Sequence, residues 1–209
     1  IMVTSCSNSR PPEGNIPTQD AIQNLMSRKS VRKYLEKPVE EEKVQILLKA
    51  GMAAPTGKDV RPWEFVVVTE RSLLDAMAEA LPYAKMLKQA PLAIVVCGDT
   101  TKSSYWYLDC SAATENILLA AEALQLGAVW TAAYPYEDRM AVVKREIRLP
   151  DHILPLCVVP VGYPAIPHSP KEKYDEIKIH KNQSILPAVN KIIGPPRKRI
   201  NMNLDESEF

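Results

Sequence analysis

The 209-residue chain sets 26 lysines and arginines against 25 aspartates and glutamates, and a net charge of +1 gives no electrostatic basis for binding nucleic acid or an anionic membrane. Its 46% hydrophobic and 24% charged residues suit a globular domain long enough to bury one sizeable core. Only 7 glycines accompany 18 prolines, and neither the dinucleotide fingerprint nor the P-loop spacing occurs, so any phosphate must be held mainly by side chains.

Val3-Thr4-Ser5-Cys6 has the form of a bacterial lipoprotein processing site, which would make Cys6 a lipid anchor and place the protein at the envelope. The alternative is a short coincidental match on a cytoplasmic protein. The polar, proline-rich stretch that follows reads as a tether, so residues 1–16 are kept apart from the fold.

Thr18 is the expected N-cap of a short helix reaching Met26, with Asp20 in its first turn. Arg28, Lys29, Arg32 and Lys33 then place four cations within six residues around Ser30. Charge runs are usually solvated loops, but this one is fixed between a helix and Pro38, where Glu40 to Met52 is helical by pattern. A loop holding Pro55, Gly57 and Pro62 leads to a β-branched strand, Glu64 to Thr69. Arg71 to Leu81 reads as a helix, Tyr83 to Gln89 as a second short one, and Leu92 to Cys97 as a buried strand.

Ser103 to Leu126 is the longest segment free of proline and glycine, about 36 Å as a helix. One ridge carries Leu108, Leu119 and Leu126; nearly opposite lie Trp106, Ile117 and Leu124. Such a helix is packed between two things, and its run of small residues allows close backbone approach. Asp109 with Asn116, and Glu115 with Glu122, form narrow polar stripes, and the two glutamates read as a solvated or capping stripe. Gly127 is the expected C-cap. A third strand, Ala128 to Tyr134, a helix, Glu137 to Ile147, and a fourth strand, Leu156 to Val161, complete the unit, with Pro160 implying a sheet edge or a bulge. Strands without alternation predict a sheet covered by helices on both faces, and the alternating order alone predicts parallel strands. The domain is expected over residues 17–183, with residues 184–209 as an arm or tail.

No GxSxG elbow or workable Cys–His pairing supports hydrolysis. The three histidines and four cysteines lack metal-binding spacings, so no metal site is expected, and Cys97, Cys110 and Cys157 read as buried thiols.

RKSVRKYLEKPV, AAPTGKDVRPWEFVVV, YWYLDCSAATENILLAAEALQLGAVW and VVPVGYPAIPHSPKEKYDEI, in that order, resemble the nitroreductase family of FMN-dependent oxidoreductases over roughly residues 16–182. The resemblance implies a homodimer of α+β fold, a three-layer helix–sheet–helix sandwich around a mostly antiparallel sheet of four to five strands, in place of the parallel one. It implies FMN bound between subunits: Arg28, Lys29, Ser30 and Arg32 on the phosphate, ribityl chain and pyrimidine edge, and Pro55, Thr56, Gly57 and Asp59 from the other subunit. The backbone of Trp130, Thr131 and Ala132 would run beneath the isoalloxazine ring, and Lys171 and Lys173 would close on the phosphate. NAD(P)H would pass hydride through the flavin to a nitroaromatic, quinone or similar flat acceptor by a ping-pong mechanism, with no catalytic side chain assigned. Alternatives are a flavin-based dehalogenase or flavin-modifying relative and a non-catalytic FMN-binding protein. The chain departs from the family pattern where Asp59 and Arg61 replace the usual Asn and Gln, where Ala132 replaces a common glycine, and at Lys171-Glu172-Lys173.

Overall fold

A computed structural model describes residues 20–182, as one compact unit through Pro170 and a short one from Lys171 onward. The first unit contains α1 (Ala21–Ser27), α2 (Glu41–Met52), β1 (Trp63–Val68), α3 (Arg71–Ala80), β2 (Leu92–Asp99), α4 (Trp106–Ala123), β3 (Gly127–Ala128), β4 (Thr131–Ala132), α5 (Glu137–Glu146) and β5 (Ile153–Gly162). Within the second, Asp175 caps a single 3-10 turn, Glu176–Lys178. Thr18 and Cys6 lie outside the described residues, and Asp20, expected inside the first helix, is its N-cap, accepting from the Ile22 and Gln23 amides.

The sheet order is β1-β2-β5-β3, with β4 also on β5, and every pairing is antiparallel. The parallel reading of the alternating pattern therefore gives way to the antiparallel α+β sheet. The expected third strand is two short ones, broken at Val129–Trp130, which raises the count from four to five. Pro160 is not at an edge, because β5 is paired on both sides. It falls opposite the β3–β4 break, between the Val158–Thr131 and Val161–Ala128 pairs, where neither short strand pairs with it.

Helices cover both faces. α2 and α4 pack on one face, where Leu47, Ile94, Val96, Ile117 and Val159 form the larger core. On the other, α3, α5 and the turn at Lys85–Lys88 enclose Leu74, Met77, Leu87, Val95, Val143 and Val158. Trp106 at the start of α4 meets Tyr134 edge-on, centroids 5.0 Å apart, and Tyr107 stacks on the same ring.

Gly127 does not cap α4. Gln125 takes the left-handed position (φ 59°), while the Leu126 and Gln125 amides donate to Ala121 and Glu122 carbonyls. This is a Schellman closure made without glycine. Glycine is needed at 127 because a methyl group there would lie 2.5 Å from Val31 Cγ1.

Cys97, Cys110 and Cys157 are buried free thiols. Burial pushes Cys110 and Cys157 up to about 12 and raises Cys97 further above its ordinary value. A raised thiol stays neutral in the folded chain while the unfolded chain ionises near pH 8.5, so this contribution is intact below that pH and is lost as pH climbs toward 12. Denaturation midpoints measured from pH 8 to 11 should fall, and replacing the three cysteines with alanine or serine should flatten that fall; an unchanged slope would refute it.

Candidate functional site

Two polar stripes on α4 position everything around it. Residues seven apart share a helix face, and Asp109 and Asn116 use theirs to hold α2 and the loop after it. The buried Asp109 accepts the Gly57 N–H at 3.0 Å through Oδ1, and Asn116 Nδ2 donates to the Ala50 carbonyl at 3.0 Å. The other Asp109 oxygen, Oδ2, is buried without a partner.

The second stripe holds the cation segment. Glu115 lies 3.3 Å from Arg28 Nε, and Glu122 accepts from Lys29 Nζ at 2.7 Å. For Glu122 this corrects the solvated-or-capping reading, since its side chain is only 9% exposed, while Glu115 remains 47% exposed. Their seven-residue spacing was the sequence signal; what lay opposite them was not legible locally.

Arg28 caps the end of α1, after which the chain runs beside β3 through a parallel bridge from Ser30 to Ala128. The Val31 N–H donates to the Ala128 carbonyl at 3.0 Å. Gly127 permits that approach, because Val31 occupies the space where its side chain would be. Tyr34 anchors the far end, its hydroxyl 2.7 Å from the Val31 carbonyl and 3.2 Å from that of Pro160. Burial raises the Tyr34 phenol well above its ordinary value, opposed by the Arg32 charge. Ser30 and Arg32 are exposed, and Arg32 has no acidic partner among the described residues.

β3 leads directly into Trp130, half-buried against the larger core, then Thr131 and Ala132. The Thr131 hydroxyl donates to the Val158 carbonyl at 2.5 Å, so this side chain is spent on holding β4 to β5. Of the expected residues, Arg28, Lys29, Ser30 and Arg32 are thus brought beside β3, just ahead of Trp130–Ala132 in the chain.

Pro55, Thr56, Gly57 and Asp59 lie on the separate loop held by Asp109. Six residues separate Asp109 from Glu115, about 9 Å along the axis and on a different face. No hydrogen bond or ion pair joins this loop to the cation segment among the described residues. Lys58, Asp59 and Arg61 all have positive φ, and the Arg61 N–H donates to Thr56 Oγ1 at 3.1 Å. Asp59 and Arg61 bind each other, both contacts 2.7 Å. The guanidinium holds the Asp59 carboxyl below the usual range, and the carboxylate raises the guanidinium in turn. The two departures from the family pattern are therefore one neutralised pair. Lys171 and Lys173 are exposed and belong to the second unit.

The nitroreductase family model matches residues 25–85 and 75–163. A provisionally named NADH dehydrogenase/NAD(P)H nitroreductase of Methanothermobacter thermautotrophicus is 42% identical over 171 residues, covering 80% of this chain and 90% of that protein. The crystal structure of a likewise provisionally named protein from Bacteroides thetaiotaomicron is similar at 68% identity and TM-score 0.78, over 78% of this chain and 98% of that one. An FMN-dependent nitroreductase from Clostridium difficile is 31% identical with TM-score 0.75, over 78% of this chain and 99% of its own.

Proposed function

Because the chain belongs to the nitroreductase family, we propose that it is an FMN-dependent NAD(P)H oxidoreductase that works as a homodimer and reduces nitroaromatics, quinones or similar flat acceptors by a ping-pong mechanism. The observation that carries this reading is the Ser30–Ala128 bridge, which sets a four-cation segment beside the strand leading to Trp130, Thr131 and Ala132.

The donor set fits a flavin phosphate. Arg28 uses only Nε on Glu115, leaving the rest of its planar fork, and Arg32 and the Ser30 hydroxyl are exposed beside it. Lys29 is committed to Glu122 and acts by placing the segment. Arg32, which has no acidic partner among the described residues, would be the cation for the pyrimidine edge. The backbone of Trp130–Ala132, fixed by the Thr131 hydroxyl, would form the floor of the ring site, with Trp130 half-buried against the larger core. FMN, when bound, supplies the hydride chemistry. The reductant and the acceptor take turns in one flat slot, and no side chain is assigned a proton-transfer step.

Pro55, Thr56, Gly57 and Asp59 would reach the flavin of the partner; the lack of any hydrogen bond or ion pair between their loop and the cation segment among the described residues supports this reading. Lys171 and Lys173 would close on the phosphate. Exposed Ile22, Leu25 and Met26 of α1, with Leu108 of α4, supply apolar surface for the second subunit. The ridge of Trp106, Ile117 and Leu124 is turned inward. Among the described residues no helix is long and apolar enough to cross a membrane.

Purified protein should be yellow, bleach with NADH or NADPH under nitrogen, and recover its colour when a quinone is added. Yellow protein that stays oxidised with both nucleotides would leave only a flavin-binding role, and colourless protein that takes up no added FMN would end both.

A further inference from the structure

Arg139 stands apart from the cations already described. Its guanidinium carbon lies 3.8 Å from the Tyr136 ring centroid and 5.3 Å from that of Tyr83, so the side chain is wedged between two aromatic rings. It is half-buried, its Nε is buried without a hydrogen-bond partner, and no acid pairs with it among the described residues. Arg28, Lys29 and Arg61, by contrast, each hold an acid of this chain. Arg139 also lines a narrow crevice together with Leu81, Tyr83, Thr131 and Ala132.

A partly desolvated guanidinium without a counter-ion is costly, and stacking on two tyrosines offsets only part of that cost. Its planar fork suits carboxylate and phosphate oxygens, and the two tyrosines that hold it, Tyr83 and Tyr136, are both substantially exposed, so the site is open to solvent-borne ligands. We propose that Arg139 recognises an anionic oxygen group, a carboxylate or a phosphate, carried by the flat partner of the flavin whose ring would lie over Thr131–Ala132. The proposal rests on the oxidoreductase reading above. It makes the slot selective for acidic partners of the flavin, either an acceptor bearing a carboxylate or the phosphate-bearing nucleotide.

The test compares FMN-loaded wild type with Arg139→Gln, using 4-nitrobenzoate against nitrobenzene as acceptor and NADPH against NADH as reductant. A carboxylate-bearing acceptor predicts that KM for 4-nitrobenzoate rises about tenfold while kinetics with nitrobenzene and both nucleotides hold. A nucleotide phosphate predicts the same rise for NADPH or for both nucleotides, with the acceptor ratio unchanged. Wild-type ratios in all arms, or a uniform loss across them, would overturn the proposal. Should the glutamine variant not fold, Arg139→Lys keeps the charge and stem but loses the fork, and a selective rise of several fold is expected there; unchanged selectivity refutes it. Wild-type protein that binds no FMN, or that neither nucleotide reduces, would instead sink the parent reading.

Discussion

Arg28→Ala should weaken FMN binding by about ten- to a hundredfold and leave the melting temperature nearly unchanged. A charged hydrogen bond to an anion contributes about 1.5–3 kcal/mol, which corresponds to that range. The fold should tolerate the loss because the orphaned Glu115 side chain is 47% exposed and can hydrate. Lys29→Ala should behave oppositely. It strands Glu122, whose side chain is 9% exposed, and should destabilise the chain by about 1–3 kcal/mol. Flavin retained after gel filtration, read beside thermal melts, separates the two. Equal flavin retention in Arg28→Ala and wild type would reduce the cluster to a solvated loop. A Lys29→Ala protein as stable as wild type would show that its pairing with Glu122 is not structural.

Gly127→Ala should destabilise the protein by about 1–3 kcal/mol and reduce its flavin content together with it. The added methyl would lie 2.5 Å from Val31 Cγ1 and 2.6 Å from Val31 Cβ, so β3 and the cation segment must separate. Their bridge, and the Val31 N–H to Ala128 carbonyl bond, are the parts at risk. Because all three close contacts are with one side chain, its Cβ included, Val31→Gly in the same background should restore a substantial share of the loss where Val31→Ala restores less, and a urea-unfolding double-mutant cycle should show strong coupling. Additive effects would mean that Gly127 is required for some reason other than this approach. Under the C-cap reading, by contrast, Val31→Gly would restore nothing.

The helices and strands themselves were legible because each writes its period locally. α2, α3 and α5 fall within a residue or two of their expected limits, and Leu92–Asp99 extends the continuous apolar run that announced it. α4 is shorter at both ends than the proline-free stretch, since nothing in local pattern tells where packing stops repaying helix formation. β1 lies at the edge of the sheet and exposes Glu64 and Val67, a position that a run of β-branched residues does not encode.

Among the site residues, Arg28 to Arg32 were legible as a cation cluster between two helices. That Arg28 and Lys29 have different duties was not, because the burial of Glu122 and the exposure of Glu115 depend on what covers α4. Asp59 and Arg61 were visible as departures from a pattern, and only the left-handed backbone of the loop turns them onto each other. Arg139 carried half a signal, since Tyr136 is 3 positions away on the same helix start but Tyr83 is 56 positions away in the chain.

By itself, then, the sequence determined the elements, the apolar faces and the order of the motifs, all of which follow from neighbouring residues and helix or strand periodicity. Tertiary structure decided strand direction, the place of Pro160 and the duty of Gly127, and it chose which cations are neutralised within the chain and which remain available to a ligand. Those depend on contacts between distant segments, where the space left by one side chain, such as Val31, sets what another position can hold.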